Sequence, residues 1–443
     1  METTATPVTI RDVLEARLRI APYLTPTPLV RPAALGRALG ADVHLKLESL
    51  QPVGAFKVRG GVNLVAAERE TLAGRRLLAA STGNHGQSIA YAGRLFGLPV
   101  TVYAPAGANP AKVAAMRALG ADVQLVGKDF DEAREACEEA AARLGARYVH
   151  SMNEPLLVAG VGTAYLEALE AVPDAQWLIV PVGGGSGLAG AAIVARALVP
   201  GIRVIGVQAQ GAPAFERAFR TGRLAAIEKM ATRAEGLATR QAFDLPVGIA
   251  RRLVDEVVLV SDAQMDAAMR LLLEDGHVVA EMAGAAGVAA AMQLGAEIAG
   301  ARVVVPITGA NVAPGQVAAL YGSAAADDAA AKVAGYYRLV DAGDVAGIVA
   351  LFAPDGVYER PGYEPFAGRA AIERFYRGER VIASGAHTID RLVREGEAVV
   401  AEGRFEGRLR SGAVASVRFT DIWRFAPEGL VAHRTTYFFA ASV

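Results

Sequence analysis

The chain has 443 residues, with 45 Lys+Arg against 46 Asp+Glu and 53% hydrophobic residues. That balance allows a sizeable core, excludes wholesale disorder and leaves no whole-chain basic footprint for nucleic acid. Cys137 is the one cysteine, which excludes an intrachain disulfide and any cysteine cluster for a metal, and the six histidines form no HExxH pair.

No basic segment followed by an apolar one opens the chain, so a cytoplasmic protein is expected. Residues 176–195 and 303–326 carry no charge and are long enough to mimic membrane spans. Pro181 and the glycines from Gly183 to Gly190 interrupt the first, and Pro306, Gly309 and Pro314 the second. Both therefore read as buried strand–loop–helix units, and no membrane contact is expected.

In chain order, apolar runs predict strands at Val43–Leu47, Arg76–Ala80, Val100–Ala104, Val123–Val126, Trp177–Val182, Val204–Val207, Val257–Val260 and Val303–Ile307. Helical patterns follow most of them, such as His85–Phe96, Asp129–Leu144, Leu188–Leu198 and Asp262–Glu274. Alternating strands and helices with continuous apolar strands predict an α/β fold of parallel sheets covered on both faces. Residues 323–332 lack large apolar anchors and read as a linker or an exposed Ala-rich helix. Beyond it, 333–352 reads as one amphipathic helix, followed by strands at Val357–Glu359, Ala398–Gly407, Ala413–Phe425 and Leu430–Phe439. That is an α+β pattern. The expected domains are 1–322, with a small subdomain at about 78–150, and 333–443.

Four local patterns carry chemistry. Gly54-Ala55-Phe56-Lys57-Val58-Arg59-Gly60 places a lysine after an aromatic in a turn. Ser81-Thr82-Gly83-Asn84-His85-Gly86-Gln87 leads from a strand into a helix, whose free N–H groups suit a carboxylate or phosphate. Gly183-Gly184-Gly185-Ser186-Gly187 does the same after Trp177–Val182, with more glycines than packing needs. Its Gly185-x-Gly187-x-x-Gly190 spacing matches a dinucleotide fingerprint, but Gln208 and Gln210 stand where that fingerprint needs an acid. The fourth is Thr308-Gly309-Ala310-Asn311, closing the last strand.

In this order the four patterns resemble the fold type II pyridoxal-phosphate enzymes, in their threonine/serine dehydratase and serine racemase group, over about 15–322. The resemblance implies a tryptophan synthase β-like fold with open parallel sheets in two subdomains. It implies pyridoxal 5'-phosphate held covalently by Lys57, which then serves as the base at Cα. Phe56 is implied to pack on the cofactor ring, Asn84 to bond its phenolic oxygen, and Gly183, Gly184, Gly185, Ser186 and Gly187 to cradle its phosphate. Thr308 is implied to face the ring nitrogen, with Glu281 near the ring and Gly236 packed beside it. Ser81, Thr82, Gly83, Asn84 and His85 are implied to hold the substrate carboxylate.

The implied reaction is α,β-elimination from a β-hydroxy amino acid such as threonine or serine, giving a 2-oxo acid and ammonia. Racemases of the group use a serine opposite the lysine; here the position is Thr82, whose β-branch stiffens it. The positions of the group's divalent-cation site carry Gln208, Ala212 and Ala214, so no metal is expected. The alternatives are an amino-acid racemase, a dehydratase of the hydroxyectoine-utilisation kind, or a non-catalytic ligand sensor. A homodimer or higher homo-oligomer is expected.

Residues 333–443 resemble the nuclear transport factor 2-like fold in its SnoaL/ketosteroid isomerase-like branch, a helix-lined α+β cone. The stretches Tyr336 to Asp344, Gly368 to Ile372 and Asp421 to Phe425 carry the likeness. Tyr336 and Asp421 are implied as a pair of hydrogen-bond donors, the pattern known from the isomerase itself. Arg360 stands where the isomerases keep their basic carboxylate, and a guanidinium cannot take a carbon acid's proton. Arg360 suits an anionic ligand or a nearby acid instead.

Overall fold

The computed structural model describes residues 8–322, 324–395, 398–426 and 428–439. The chain forms two compact units, one up to Ala313 and one from Pro314.

The first unit is built on two parallel sheets. The larger runs in the order Leu29–Val30, Asp42–Leu47, Arg302–Ile307, Trp177–Pro181, Arg203–Ala209, Glu256–Val260. Only Leu29–Val30 is antiparallel, against Asp42–Leu47. The smaller runs Asp122–Leu125, Val100–Ala104, Leu77–Ala80, Arg147–Tyr148, all parallel. The eight predicted strands are present with ends shifted by one or two residues. The two-residue strands at Leu29 and Arg147 are too short to show a pattern. Trp177–Pro181 is buried throughout, as expected of a strand covered on both faces.

Helix Lys57–Ala67 runs through the middle of this unit, and eight consecutive residues from Val58 to Val65 are buried. Glycines let its neighbours close in. A Cβ on Gly160 would lie 2.6 Å from the carbonyl oxygen of Arg59, and one on Gly61 would lie 2.4 Å from Ser88 Oγ. The buried face also carries a charge. Arg59, 1% exposed, donates to both carboxylate oxygens of Glu48 at 2.7 and 2.8 Å and to both of Glu167 at 2.6 and 2.8 Å. Lys46 Nζ donates to Glu167 at 2.5 Å and to the carbonyl of Thr27 at 2.6 Å, and Thr27 Oγ1 donates to Glu48 at 2.6 Å. Two cations and two anions thus neutralise one another out of water, with their remaining hydrogen-bonding capacity filled.

The second unit has a six-stranded sheet in the order Phe366–Ala367, Phe352–Glu359, Val431–Phe438, Val414–Phe425, Ala398–Leu409, Ile382–Glu395. It is antiparallel except where Phe352–Glu359 meets Val431–Phe438. Of the two readings offered for 323–332, linker or Ala-rich helix, the stretch from Ala324 takes the second, as part of helix Ala324–Ala342; Ser323 lies outside the described residues. Two other sequence readings need correction here. The helix expected at 333–352 ends at Ala342, since Gly343 takes a left-handed φ of +71°. Asp344 then caps a new helix, Val345–Ala350, by accepting from the Gly347 N–H at 2.9 Å. Strand Ile382–Glu395 was not anticipated: it is an edge strand with mostly exposed side chains, so it shows no apolar alternation.

Among the described residues, no helix is long and apolar enough to cross a membrane. Arg59→Met strands Glu48 and Glu167 without their shared cation. We expect a loss of about 3–5 kcal/mol in urea unfolding. A loss below about 1 kcal/mol would show that water or neighbouring groups replace the guanidinium.

Candidate active site

The loops that follow the parallel strands of the first unit meet around a cavity of about 440 Å³. Lys57, Ser81, Thr82, Gly83, Asn84, His85, the loop Gly183 to Gly187, Glu281 and Thr308 all line it. These residues come from both sheets, at the carboxyl ends of strands Leu77–Ala80, Trp177–Pro181 and Arg302–Ile307.

Short backbone contacts hold the lysine loop against the last strand. Ala55 bridges Gly309; the Phe56 N–H donates to the Thr308 carbonyl at 3.0 Å, and the Ala310 N–H to the Gly54 carbonyl at 2.9 Å. Lys57 therefore starts its helix at a fixed place. Its Nζ donates to Ser186 Oγ at 2.8 Å and lies 3.4 Å from the carbonyl of Ser151. Nζ also stands 5.3 Å from the Phe56 ring centroid. Burial pushes the Lys57 ammonium down to about 8.

Two sets of backbone donors face this amine. Among the described residues, the N–H groups of Gly183 to Gly187 find no protein acceptor. Gly185 turns the chain with a φ of +96°, and a Cβ there would come 2.3 Å from Phe215. A Cβ on Gly183 would lie 2.3 Å from the carbonyl oxygen of Gly236, so Gly183 and Gly185 have no room for side chains. The N–H groups of Thr82, Asn84 and His85 are equally unpartnered at the start of helix Asn84–Phe96. Buried N–H groups rarely stay unpaired, and helix N-termini favour anions. The cavity thus offers two anion seats around one amine.

The remaining predicted residues take specific posts. Ser81 Oγ accepts from the Gly83 N–H at 3.1 Å and the Gly86 N–H at 2.9 Å, so its hydroxyl shapes the loop. His85 Nε2 meets the Val149 carbonyl at 3.2 Å, and burial, together with the charge of Lys57, pushes its imidazole down to about 3. It is neutral at all ordinary pH. Asn84 donates to Glu281 Oε1 at 2.7 Å and accepts from Asn311 at 2.8 Å, which fixes both ends of its amide. Burial raises the Glu281 carboxyl above its usual value, against the Lys112 charge and the Asn84 bond. Thr308 is 6% exposed, and its hydroxyl makes no hydrogen bond among the described residues.

Sequence reasoning missed the residues at the rim. Lys112 bonds Glu235, and Arg240 stands 3.2 Å from Asp131 and 3.5 Å from Asp129. All five line the cavity. Each pair joins the small sheet's loops to the large sheet's loops across more than 100 residues of sequence, so no local motif marks it.

The model of pyridoxal-phosphate dependent enzymes matches residues 20–309, and that of the SnoaL-like domain matches residues 333–434. The chain belongs to the pyridoxal-phosphate dependent enzymes. An L-threonine ammonia-lyase of Thermotoga maritima is 38% identical over 305 residues, which are 69% of this chain and 76% of that one. An L-threo-3-hydroxyaspartate ammonia-lyase of Saccharomyces cerevisiae is 34% identical, covering 69% of this chain and 93% of its own. The structure of maize serine racemase superposes with a TM-score of 0.67 at 30% identity, over 71% of this chain and 97% of that one. This pyridoxal-phosphate enzyme is a lyase of the ammonia-lyase type, and its fold is that of the fold type II group. The residues present fit the cofactor: a half-buried amine to take its aldehyde, and a glycine-rich loop of open N–H groups to take its phosphate.

In the second unit, the expected donor pair is not formed. Asp421 is fully buried and accepts from Tyr337 at 2.5 Å, Arg434 at 2.7 Å and Thr436 at 2.5 Å. With three donors aimed at it, Asp421 is engaged as an acceptor inside the cluster. Tyr336 bonds Tyr376 and Arg434 rather than an open pocket. Arg434, which the sequence reading did not single out, ties these groups together, donating to Tyr336, Tyr376 and Asp421. Arg360 is not part of this cluster; its guanidinium stands among the rings of Tyr363, Phe375 and Phe438.

The lowered Lys57 value sets a sign for stability. Between about 8 and the ordinary 10.5 the unfolded chain binds more protons than the folded one, so stability rises with pH across that window. Cofactor-free Lys57→Met should therefore be more stable than cofactor-free wild type at pH 7, by on the order of 3 kcal/mol in urea unfolding. The gap should close as pH rises through the window. Equal stabilities at pH 7 would show that the amine is well solvated.

Proposed function

We propose that this enzyme eliminates the β-hydroxyl of a small β-hydroxy α-amino acid of the threonine or serine type as water, and that hydrolysis of the resulting enamine takes up one water and releases ammonia and a 2-oxo acid. The observation that carries the reading is one cavity lined both by a half-buried, readily neutralised lysine and by two separate sets of open backbone N–H groups. One set suits a phosphate and the other a substrate carboxylate. The printed names of the similar ammonia-lyases support the same substrate class.

In this reading Lys57 Nζ is the base that takes the α-proton, and Ser186 Oγ steers the amine by accepting its hydrogen bond. The open N–H groups of Thr82, Asn84 and His85 seat the carboxylate, in a loop that Ser81 holds in shape. The loop Gly183 to Gly187 seats the cofactor phosphate, and Phe56 packs on the ring. Asn84, locked between Glu281 and Asn311, presents its amide to the ring edge, and the Thr308 hydroxyl faces the ring nitrogen. Pyridoxal phosphate supplies the electron sink for the pair left at Cα. A neutral hydroxyl at the ring nitrogen keeps that sink weak, which favours loss of the β-hydroxyl over transamination. The enzyme is further proposed to work as a cytoplasmic homo-oligomer.

Racemisation is the second reading, because the Thr82 hydroxyl lines the same cavity as Lys57. A panel of L-β-hydroxy amino acids decides between the two. We expect 2-oxo acid and ammonia in equal amounts with no accumulation of the D-amino acid. Lys57→Ala should lose the visible absorbance of the lysine-bound cofactor and at least about 10³-fold in turnover. Turnover by Lys57→Ala at the wild-type rate would refute the mechanism.

At the positions of the family cation site, Gln208 Oε1 accepts from the Glu216 N–H at 2.9 Å and so caps helix Ala214–Thr221, with Ala212 and Ala214 buried beside it. Activity should be the same after chelation and after adding back Mg²⁺ or Ca²⁺. Several-fold activation by either ion would place a cation site elsewhere in the chain.

A further inference from the structure

We propose that Arg360 anchors a binding site for a small carboxylate with an apolar body, in the SnoaL-like unit. Arg360 follows directly on strand Phe352–Glu359. Its guanidinium carbon lies 5.3 Å from the ring centroid of Tyr363, 5.1 Å from that of Phe375 and 5.6 Å from that of Phe438. Its Nε is buried without a hydrogen-bond partner. Among the described residues, no carboxylate pairs with Arg360 and no acceptor takes its Nη hydrogens. The adjacent acid does not serve: Glu359 is held by His433 Nε2 at 3.1 Å and Thr435 Oγ1 at 3.3 Å.

Arg434 of the same unit, whose Nε is likewise buried without a partner, shows what the Nη edge of such a guanidinium takes. Its guanidinium carbon also stands over three rings, those of Tyr336, Tyr358 and Trp423, at 4.4, 4.3 and 4.6 Å. Arg434 has its anion, Asp421, at 2.7 Å. Arg360 has the aromatic surround and lacks the anion. Ring faces satisfy a guanidinium's face but leave its N–H edge unfilled. The group that completes such an edge is planar and anionic, and a carboxylate takes two parallel N–H bonds from it. Arg380 stands 5.8 Å from the ring centroid of Tyr376, the neighbour of Phe375, and it too has no acidic partner among the described residues. The open N–H edge of Arg360 therefore favours an anion, and the rings of Tyr363 and Phe438 favour an apolar body behind it.

The test uses the full-length, cofactor-loaded protein with benzoate as the probe, followed by ligand-observed NMR. Wild type should bind benzoate saturably, and Arg360→Gln should weaken that binding at least about tenfold. Arg360→Lys keeps the charge but loses the planar fork, and should also weaken binding while its thermal unfolding matches wild type. It keeps the proposal testable where Arg360→Gln fails to fold. Benzoate that binds Arg360→Gln or Arg360→Lys as tightly as wild type would overturn the proposal, because its seat would then lie elsewhere. Absence of binding to wild type at about 10 mM would overturn it too. Displacement of benzoate by equimolar inorganic phosphate would replace the carboxylate assignment with a general anion seat.

Discussion

The buried pairing of Arg59 with Glu48 and Glu167 is the constraint on which the active site rests. Charges leave water only when each finds a partner and the remaining donors and acceptors are filled. Here Thr27, Lys46 and Thr163 complete the set, so the guanidinium has one place to be. Arg59 is two residues after Lys57 in one helix, roughly 200° further round it. Clamping one side of the helix turns the other toward the cavity. The position of the reactive amine is therefore set by an ion network that never touches the chemistry.

Desolvation acts at the same place. It brings the Lys57 amine close to neutrality near physiological pH, which a surface lysine does not approach. Beside it stand two rows of backbone N–H groups with no protein acceptor among the described residues, so that anions of the right spacing are their natural partners. Glycines are the condition for one of these rows. Side chains at Gly183, Gly184 and Gly185 would collide with Gly236, Met152 and Phe215 and force the loop away from the cavity.

The second unit shows how far a fold-level likeness reaches. Its helices and sheet pack on one core, and beside it the buried Arg434 ties up Tyr336 and Asp421 in a closed set of bonds. A carboxylate acting as acceptor for three donors cannot also donate a proton to a ligand. The same fold can thus exchange a reaction pocket for a packed polar core.

The lysine motif, the Ser81 to Gln87 run, the glycine loop and Thr308 to Asn311 were legible in the sequence because each is a local strand-to-helix turn. Its residue types are dictated by backbone geometry within a few positions. The parallel sheets were legible for the same reason: apolar runs and helical periods are local patterns. Tertiary structure alone decided the rest. Glu48 and Glu167 reach Arg59 from 11 and 108 residues away, Lys112 reaches Glu235 from 123, and Arg434 meets Asp421 across neighbouring strands. A charged side chain in a sequence reads as solvated surface. Whether it is paired, buried or left open to a ligand depends on which distant atom the fold brings within 3 Å, and on how much water that contact excludes.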